Sequence, residues 1–135
     1  MKKSPRKDNI RSHFDQLADD RTRWIARNRA YYRDDRKYTQ FLIPEGSRVL
    51  EVGCATGELL AALKPSYGVG LDFSEKMLEI GRRNHPELTF VVADAEEDDV
   101  FSRLEGTFDY IVLSDTVGYL DDIERVFRAI RQISA

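Results

Sequence analysis

The sequence predicts an α/β protein with a doubly wound, mostly parallel sheet preceded by N-terminal helices. From residue 47 onward, short apolar, β-branched runs alternate with helical patterns, which is typical of βαβ units. These runs are apolar almost throughout, as expected of strands that helices cover on both faces. Before residue 47 the apolar residues recur only at helical spacing. We therefore expect a helical segment over residues 1–46 and an α/β part over residues 47–135.

The N-terminal segment contains two helical patterns. The first predicts a short helix over about 9–20, with three apolar residues on one face: Ile10, Phe14 and Leu17. The second predicts a helix over about 21–42, with aromatic residues seven positions apart: Trp24, Tyr31 and Tyr38. Pro44 and Gly46 are expected to end this helix.

The α/β part has four predicted strands, at 48–52, 67–71, 88–93 and 108–114. Helices are predicted at 58–64, 74–84 and 120–133, with a weaker helical pattern around 98–104. The buried side of the last helix is expected to comprise Leu120, Ile123, Val126, Phe127, Ile130 and Ile133. The fourth strand is apolar on both faces from Tyr110 to Leu113, which indicates an interior strand.

Composition and charge limit the possible functions. At 135 residues and 41% hydrophobic, the chain is long enough for one globular domain. Residues 1–48 carry 13 Lys or Arg against 7 Asp or Glu, whereas the remainder carries 8 against 17. A solvated helical face explains the basic third better than nucleic acid binding. Cys54 is the only cysteine, so one chain builds no disulfide. No apolar run suits a membrane span, and we expect a cytoplasmic protein.

The stretch RVLEVGCATGELLAAL, residues 48–63, places a glycine-rich turn between a strand and a helix. In doubly wound sheets this is where ligands bind, because glycine lets the backbone approach them. A dinucleotide motif starting at Gly53 would put Ala55 and Glu58 where glycines are usual. Glu58 would also repel a phosphate at the helix start. A cofactor that carries positive charge and no phosphate at this point avoids that conflict.

Four motifs in order carry a family resemblance. EVGCATG resembles the glycine motif of the class I S-adenosylmethionine-dependent methyltransferases, and GVGLDFSEKML resembles their second strand with its terminal acid. FVVADAEED resembles the third strand, and FDYIVLSDTVGYLDD the fourth strand with its loop. Over roughly residues 47–133, the resemblance implies a Rossmann-like sheet of strand order 3-2-1-4. It also implies S-adenosylmethionine as cofactor and an unidentified, small-molecule methyl acceptor.

Family members usually continue with a fifth strand, another helix and a closing antiparallel pair. Because the sequence ends at Ala135, we expect it to hold the first part of a longer fold. The far edge of the fourth strand is then expected to pair with a second copy or a further domain.

The resemblance also implies a cofactor site. Its residues are Glu51, Gly53, Cys54, Ala55, Gly57, Asp72, Phe73, Met77, Asp94, Ala95 and Ser114. Glu51 is expected to hold the cofactor's amino group, Asp72 the ribose hydroxyls and Asp94 the adenine amino group. Each acid also has a structural alternative. For Glu51 it is capping of loop N–H groups, and for Asp72 it is a turn just before a helix cap at Ser74. For Asp94 it is a place in a solvated acidic loop. No metal ligand is expected.

The acceptor side is less defined. Asp115 is expected near the reactive sulfonium with Ser114, Tyr119 is expected to border the acceptor pocket, and no catalytic base is assigned. His13 is expected on the surface, and Cys54 as a small buried residue rather than a nucleophile. Phe14 is expected either to cover the cofactor or to join the core. Two other functions stay open: a non-catalytic module that binds cofactor or a partner chain, and a fragment of an NAD-dependent oxidoreductase.

Overall fold

A computed structural model describes residues 5–114 and 116–135 of the chain. The sheet has four parallel strands, β1 (Arg48–Val52), β2 (Tyr67–Asp72), β3 (Thr89–Val92) and β4 (Tyr110–Val112). Their order is β3-β2-β1-β4. Leu50 of β1 lies opposite Val69 of β2 and Ile111 of β4, so all strands end at one edge. The predicted sheet and its strand order are confirmed.

The described helices are α1 (Pro5–Leu17), α2 (Arg21–Arg27), α3 (Arg29–Leu42), α4 (Glu58–Ala62), α5 (Glu75–Asn84) and α6 (Ile123–Arg131). Short 3₁₀ turns occur at Ala18–Asp20, Phe101–Arg103 and Val117–Tyr119. The weak helical pattern around 98–104 is therefore a single 3₁₀ turn. Among the described helices, none is long and apolar enough to cross a bilayer.

The second predicted helix is two helices, separated at Asn28. This residue has φ −110° and ψ 33°, and its side-chain amide donates to the Trp24 carbonyl at 2.9 Å. Trp24, Tyr31 and Tyr38 are each more than half exposed. Asparagine readily leaves helical geometry because its side chain bonds nearby backbone groups. The seven-residue spacing alone does not reveal that break.

The core forms two layers, one on each face of the sheet. One layer packs strand residues against α6 and contains Leu50, Val52, Val69, Leu71, Phe108, Val126 and Ile130. The other includes α4 and α5 residues and contains Val49, Cys54, Leu60, Leu63, Leu78 and Phe90. Successive residues of β1 alternate between these layers, as the pleat of a strand requires. The doubly wound architecture follows from this alternation.

The last helix and the last strand are less buried than their sequences predict. Helix α6 begins after Asp122, whose carboxylate accepts from the Arg125 N–H, so Leu120 lies outside it. Ile123 and Phe127 are 39% and 46% exposed, whereas Val126 and Ile130 are buried, so only part of the apolar stripe of α6 contacts the core. Strand β4 pairs with β1, and no strand in the described ranges lies on its other side. Its residues are half-buried or exposed.

Candidate functional site

A cavity of about 760 Å³ opens where the strands end, a size typical of small-molecule sites. We call its residues from the turns after β1, β2 and β3 the floor, and those from α1 to α3 the cover. The floor consists of Glu51, Val52, Gly53, Cys54, Ala55, Glu58, Leu59, Leu71, Asp72, Phe73, Met77, Ala93, Asp94, Ala95 and Glu96. The cover consists of Lys7, His13, Phe14, Leu17, Asp20, Arg21, Arg23, Trp24, Arg27, Tyr32 and Asp35. Ser114, Thr116, Tyr119 and Leu120 close the side next to β4.

The glycine turn after β1 is held in an unusual backbone conformation. Gly53, Ala55 and Gly57 have φ of 76°, 49° and 85°. A Cβ on Gly53 would lie 2.1 Å from the Thr116 Oγ1. That hydroxyl donates to the Val52 carbonyl at 3.0 Å, which ties the end of β1 to the loop after β4. Gly53 is thus required for the close approach of Thr116, a residue that the motifs do not single out.

Gly57 does not line the cavity, although it is expected in the cofactor site. It is buried at the start of α4, and a Cβ there would lie 2.9 Å from the Phe90 ring. Its positive φ and its close approach to Phe90 of β3 account for the glycine. The other ten expected cofactor residues all line the cavity.

Asp72 is bonded to the main chain at both carboxylate oxygens. Its Oδ2 accepts from the Ala55 N–H and its Oδ1 from the Ser74 N–H, each at 2.9 Å. Burial raises the pKa of Asp72, and the two N–H groups oppose that rise. The Ser74 hydroxyl also accepts from the Met77 N–H at the start of α5. The structural role of Asp72 therefore coexists with a place in the cavity, since each oxygen keeps a lone pair.

Glu51 is a buried carboxylate with an unmet hydrogen bond. It is 4% exposed, and its Oε1 has no hydrogen-bond partner among the described residues. Burial raises the pKa of Glu51 well above its ordinary value, the nearby Glu58 raises it further, and Arg21 opposes the rise. A buried acceptor without a partner is costly. A cationic ammonium in the cavity would supply both the missing donor and the missing charge.

Asp94 and Glu96 are joined to the cover by Lys7. The Lys7 Nζ lies 2.6 Å from Asp94 Oδ2 and 2.9 Å from Glu96 Oε1, and all three side chains are largely buried. Burial lowers the pKa of Lys7, but its hydrogen bonds to both acids outweigh this and raise it overall. Burial alone would raise the pKa of Glu96, but hydrogen bonds from the Asp121 N–H and from Lys7 outweigh burial, so the pKa is lowered overall. Asp94 is thus a paired residue rather than part of a solvated loop.

An aromatic cluster connects α1 to the turn after β2. The Phe14 ring meets Phe73 edge-to-face at 6.1 Å and Tyr119 at 5.1 Å between centroids. Arg11 lies over the Phe73 ring and donates to the Phe73 carbonyl. Leu17, expected as a core partner of Phe14, is 41% exposed. Of the two roles open for Phe14, the structure favours covering the cavity.

The side next to β4 combines residues that the sequence places far apart. The Ser114 hydroxyl donates to Asp35 of α3 at 3.2 Å. Arg21 donates to the Thr56 hydroxyl at 3.0 Å, and its Nε lies 3.9 Å from Glu58. Asp115, expected here, lies outside the described residues. Lys7, Arg21 and Asp35 were missed by the motifs. For the two cations the only sequence signal is the basic first third set against an acidic remainder, and Asp35 has none.

Three further residues match their expected environments. Cys54 is 4% exposed, and burial raises the pKa of its thiol well above the ordinary value, which disfavours a reactive thiolate. His13 is exposed at the rim of the cavity. Glu58 stands in the first turn of α4 and lines the cavity, where a phosphate would meet it. The described residues include no group of His, Cys, Asp and Glu suited to a metal ion.

Comparisons with known proteins agree on one family. The model of the methyltransferase domain family matches residues 49–135. A malonyl-[acyl-carrier protein] O-methyltransferase of Bacillus cereus is 36% identical over 91 residues, covering 63% of this chain and 32% of that protein. A juvenile hormone acid O-methyltransferase of Bombyx mori is 36% identical over 93 residues, covering 63% and 33%. A possible histamine N-methyltransferase of Thermotoga maritima superposes with a TM-score of 0.73 at 27% identity, covering 90% and 55%.

The chain spans about a third of the length of the first two relatives. The family match nevertheless takes in β1 to β4, the glycine turn and α6. The family's cofactor, S-adenosylmethionine, is cationic and carries no phosphate, which suits the acidic residues that line the cavity. The chain therefore belongs to the S-adenosylmethionine-dependent methyltransferases, in the methyltransferase domain family.

Proposed function

We propose that this chain binds S-adenosylmethionine in the described cavity and directs its methyl group to a small-molecule acceptor. The observation that carries the proposal is the unpartnered Oε1 of buried Glu51 beside the glycine turn. When bound, the cofactor supplies a methyl group already activated on a sulfonium. The protein then needs only to align the acceptor and exclude water. No catalytic base is required for a reactive acceptor.

The floor provides a position for each part of the cofactor. Glu51 accepts from the ammonium of the methionine portion, beside Gly53, Cys54 and Ala55. Arg21 offers a cation for the methionine carboxylate, because it lines the cavity and donates to Thr56 in the glycine turn. A guanidinium matches a carboxylate well.

The nucleoside portion lies toward β2 and β3. Asp72 accepts from the ribose hydroxyls through its remaining lone pairs, with the Phe73 ring and Met77 along the adenine. Asp94 shares its carboxylate between Lys7 and the adenine amino group, and the Ala95 N–H meets a ring nitrogen. Ser114 stands at the sulfonium end, held by its bond to Asp35.

The division of labour is also part of the proposal. Residues 1–46 act as the cover over cofactor and acceptor, and residues 47–135 hold the cofactor. The edge of β4 takes a strand from a second copy of the chain or from a further domain. A cytoplasmic location suits a chain whose single cysteine is buried and unpaired.

Glu51→Gln tests the central observation. Isothermal titration calorimetry with S-adenosylhomocysteine, which keeps the ammonium, should give an affinity at least about tenfold weaker than wild type, because a charged hydrogen bond is lost. The control Glu79→Gln changes an exposed glutamate of α5 outside the cavity and should match wild type. NAD should not bind either variant. Absence of S-adenosylhomocysteine binding to wild type, or equal affinity in Glu51→Gln, would contradict the proposal.

The same variant makes a pH prediction with a defined sign. Burial raises the pKa of Glu51 in the free protein, and a bound ammonium would lower that pKa again, so binding should release protons at pH values between the two. Titrations in buffers of different ionisation enthalpy should therefore show proton release, and affinity should rise with pH toward that raised pKa. In the free protein, stability should fall as pH rises from the ordinary value of a glutamate through the raised pKa. The Glu51→Gln variant should show neither the proton release on binding nor the fall in stability with rising pH.

A further inference from the structure

The wall of the cavity formed by α2 differs in charge from the floor. Asp20, Arg23, Trp24 and Arg27 all line the cavity, and their spacing of three, four and seven positions places them on one helical face. The floor opposite is acidic, with Glu51, Asp72, Asp94 and Glu96 among its residues. A cationic cofactor suits the acidic floor. The basic wall requires a separate explanation.

The two arginines of this wall have little to bind within the protein. Arg27 makes no ion pair with any residue in the described part of the chain. Arg23 reaches Asp20 only at 3.9 Å, with both side chains mostly exposed. Such an exposed pair contributes little. Arg21, by contrast, is engaged with Thr56 and Glu58 in the glycine turn.

Trp24 lines the cavity beside these arginines and is 57% exposed. An exposed indole at the mouth of a cavity offers a flat apolar surface of large area. The guanidinium groups of the same wall offer planar pairs of donors that fit a carboxylate or a phosphate. Together they suit a molecule with an apolar body and an anionic group.

We propose that the methyl acceptor is a small organic anion, whose carboxylate or phosphate binds Arg23 and Arg27 and whose apolar body lies on Trp24. This inference rests on the proposed function, because it assigns the acceptor side of the same cavity. It makes Arg23 and Arg27 specificity residues rather than catalytic ones. The cofactor contacts of the floor do not depend on them.

Trp24 is the only tryptophan of the chain, so its fluorescence reports directly on this wall. The protein, saturated with S-adenosylhomocysteine, is titrated with cyclohexanecarboxylate, cyclohexyl phosphate and the neutral cyclohexanecarboxamide. None of these probes absorbs where tryptophan is excited. At least one anion should give a saturable change in Trp24 fluorescence at concentrations where the amide gives none. The anion that binds more tightly identifies whether the wall prefers a carboxylate or a phosphate.

The double variant Arg23→Gln/Arg27→Gln should weaken anion binding by about tenfold or more, as expected for lost charged hydrogen bonds. The control Arg29→Gln/Arg36→Gln removes the same charge from exposed positions outside the cavity and should bind the anions like wild type. Calorimetry on both double variants should give S-adenosylhomocysteine affinities within about twofold of wild type, since the floor is intact.

Three results would overturn the inference and leave the cofactor proposal standing. They are equal binding of amide and anions, an equal loss in both double variants, and tighter binding of a poly(A) oligonucleotide than of either small anion. The last would indicate a nucleic acid rather than a small acceptor. Failure of wild type to bind S-adenosylhomocysteine would instead contradict the proposed function itself.

Discussion

The floor and the cover of the cavity are stabilised in different ways. The floor is tied together largely by the main chain: the Gly53 N–H donates to the Leu71 carbonyl at 2.7 Å, and Asp72 accepts from two backbone N–H groups. The cover is tied to the rest of the molecule largely by side chains, such as Lys7 with Asp94 and the Phe14 ring with Tyr119.

This difference indicates where the binding site is rigid and where it can change. Main-chain bonds in the floor follow from the sheet register, so a single side chain cannot shift them far. The contacts of the cover join residues far apart in the sequence, such as Lys7 with Asp94 and Asp35 with Ser114, through a few side chains, so one substitution can remove an attachment. This difference fits the proposed division, in which the floor holds the cofactor and the cover lies over the acceptor.

Lys7→Met should have the largest effect on stability, because it breaks the buried attachment of the cover. Asp94 and Glu96 would lose their shared cation while staying largely buried. Removing one partner of a buried ion pair costs about 3 kcal/mol. Urea denaturation followed by circular dichroism measures the loss in free energy of unfolding.

Lys64→Met is the matched control for this loss. Lys64 pairs with Glu45 at 3.5 Å, and both side chains are more than two-thirds exposed. Its removal should change the free energy of unfolding by less than about 1 kcal/mol, since an exposed ion pair contributes little. Equal losses in the two variants would show that Lys7 does not anchor the cover.

Asp72→Ala should have the next largest effect. It should weaken cofactor binding and leave the attachment of the cover unchanged. S-adenosylhomocysteine affinity should fall by about 1.5–3 kcal/mol, the contribution of charged hydrogen bonds. Asp109→Ala is the control, because Asp109 also accepts from a backbone N–H, that of Arg48 at 2.9 Å, outside the cavity. Calorimetry should show wild-type affinity for the control. Unchanged affinity in Asp72→Ala would remove this residue from the site.

The floor could be predicted from the sequence because its residues follow strands that are recognisable as apolar runs. Once the strand order is given, Glu51, Asp72 and Asp94 must meet at one edge of the sheet. Local backbone geometry also leaves a signal in the sequence, as the glycines of the turn do. Gly57 shows the limit, since its positive φ accompanies packing against Phe90, and the residue does not line the cavity.

The cover could not be predicted in the same way, because helical periodicity shows a face but not its partner. The sequence gives no sign that Lys7 pairs with acids 87 and 89 positions away, or that Asp35 meets Ser114. Trp24 keeps helical spacing with Tyr31 on a face that the structure leaves exposed. Long-range ion pairs depend on how the helices dock, which is a tertiary property.

Ala55→Gly should have the smallest effect and tests whether the floor is strained by its own main chain. Ala55 holds φ of 49°, a left-handed conformation that costs a residue with a Cβ about 1–2 kcal/mol. Glycine removes this cost but adds about 0.4–1 kcal/mol of unfolded-state entropy, so a net stabilisation of about 0.5 kcal/mol is expected. Ala61→Gly, inside α4, should instead destabilise by about 1 kcal/mol. Urea denaturation of both variants measures whether the free energy of unfolding rises or falls. Destabilisation by both substitutions would show that the turn is not strained at Ala55.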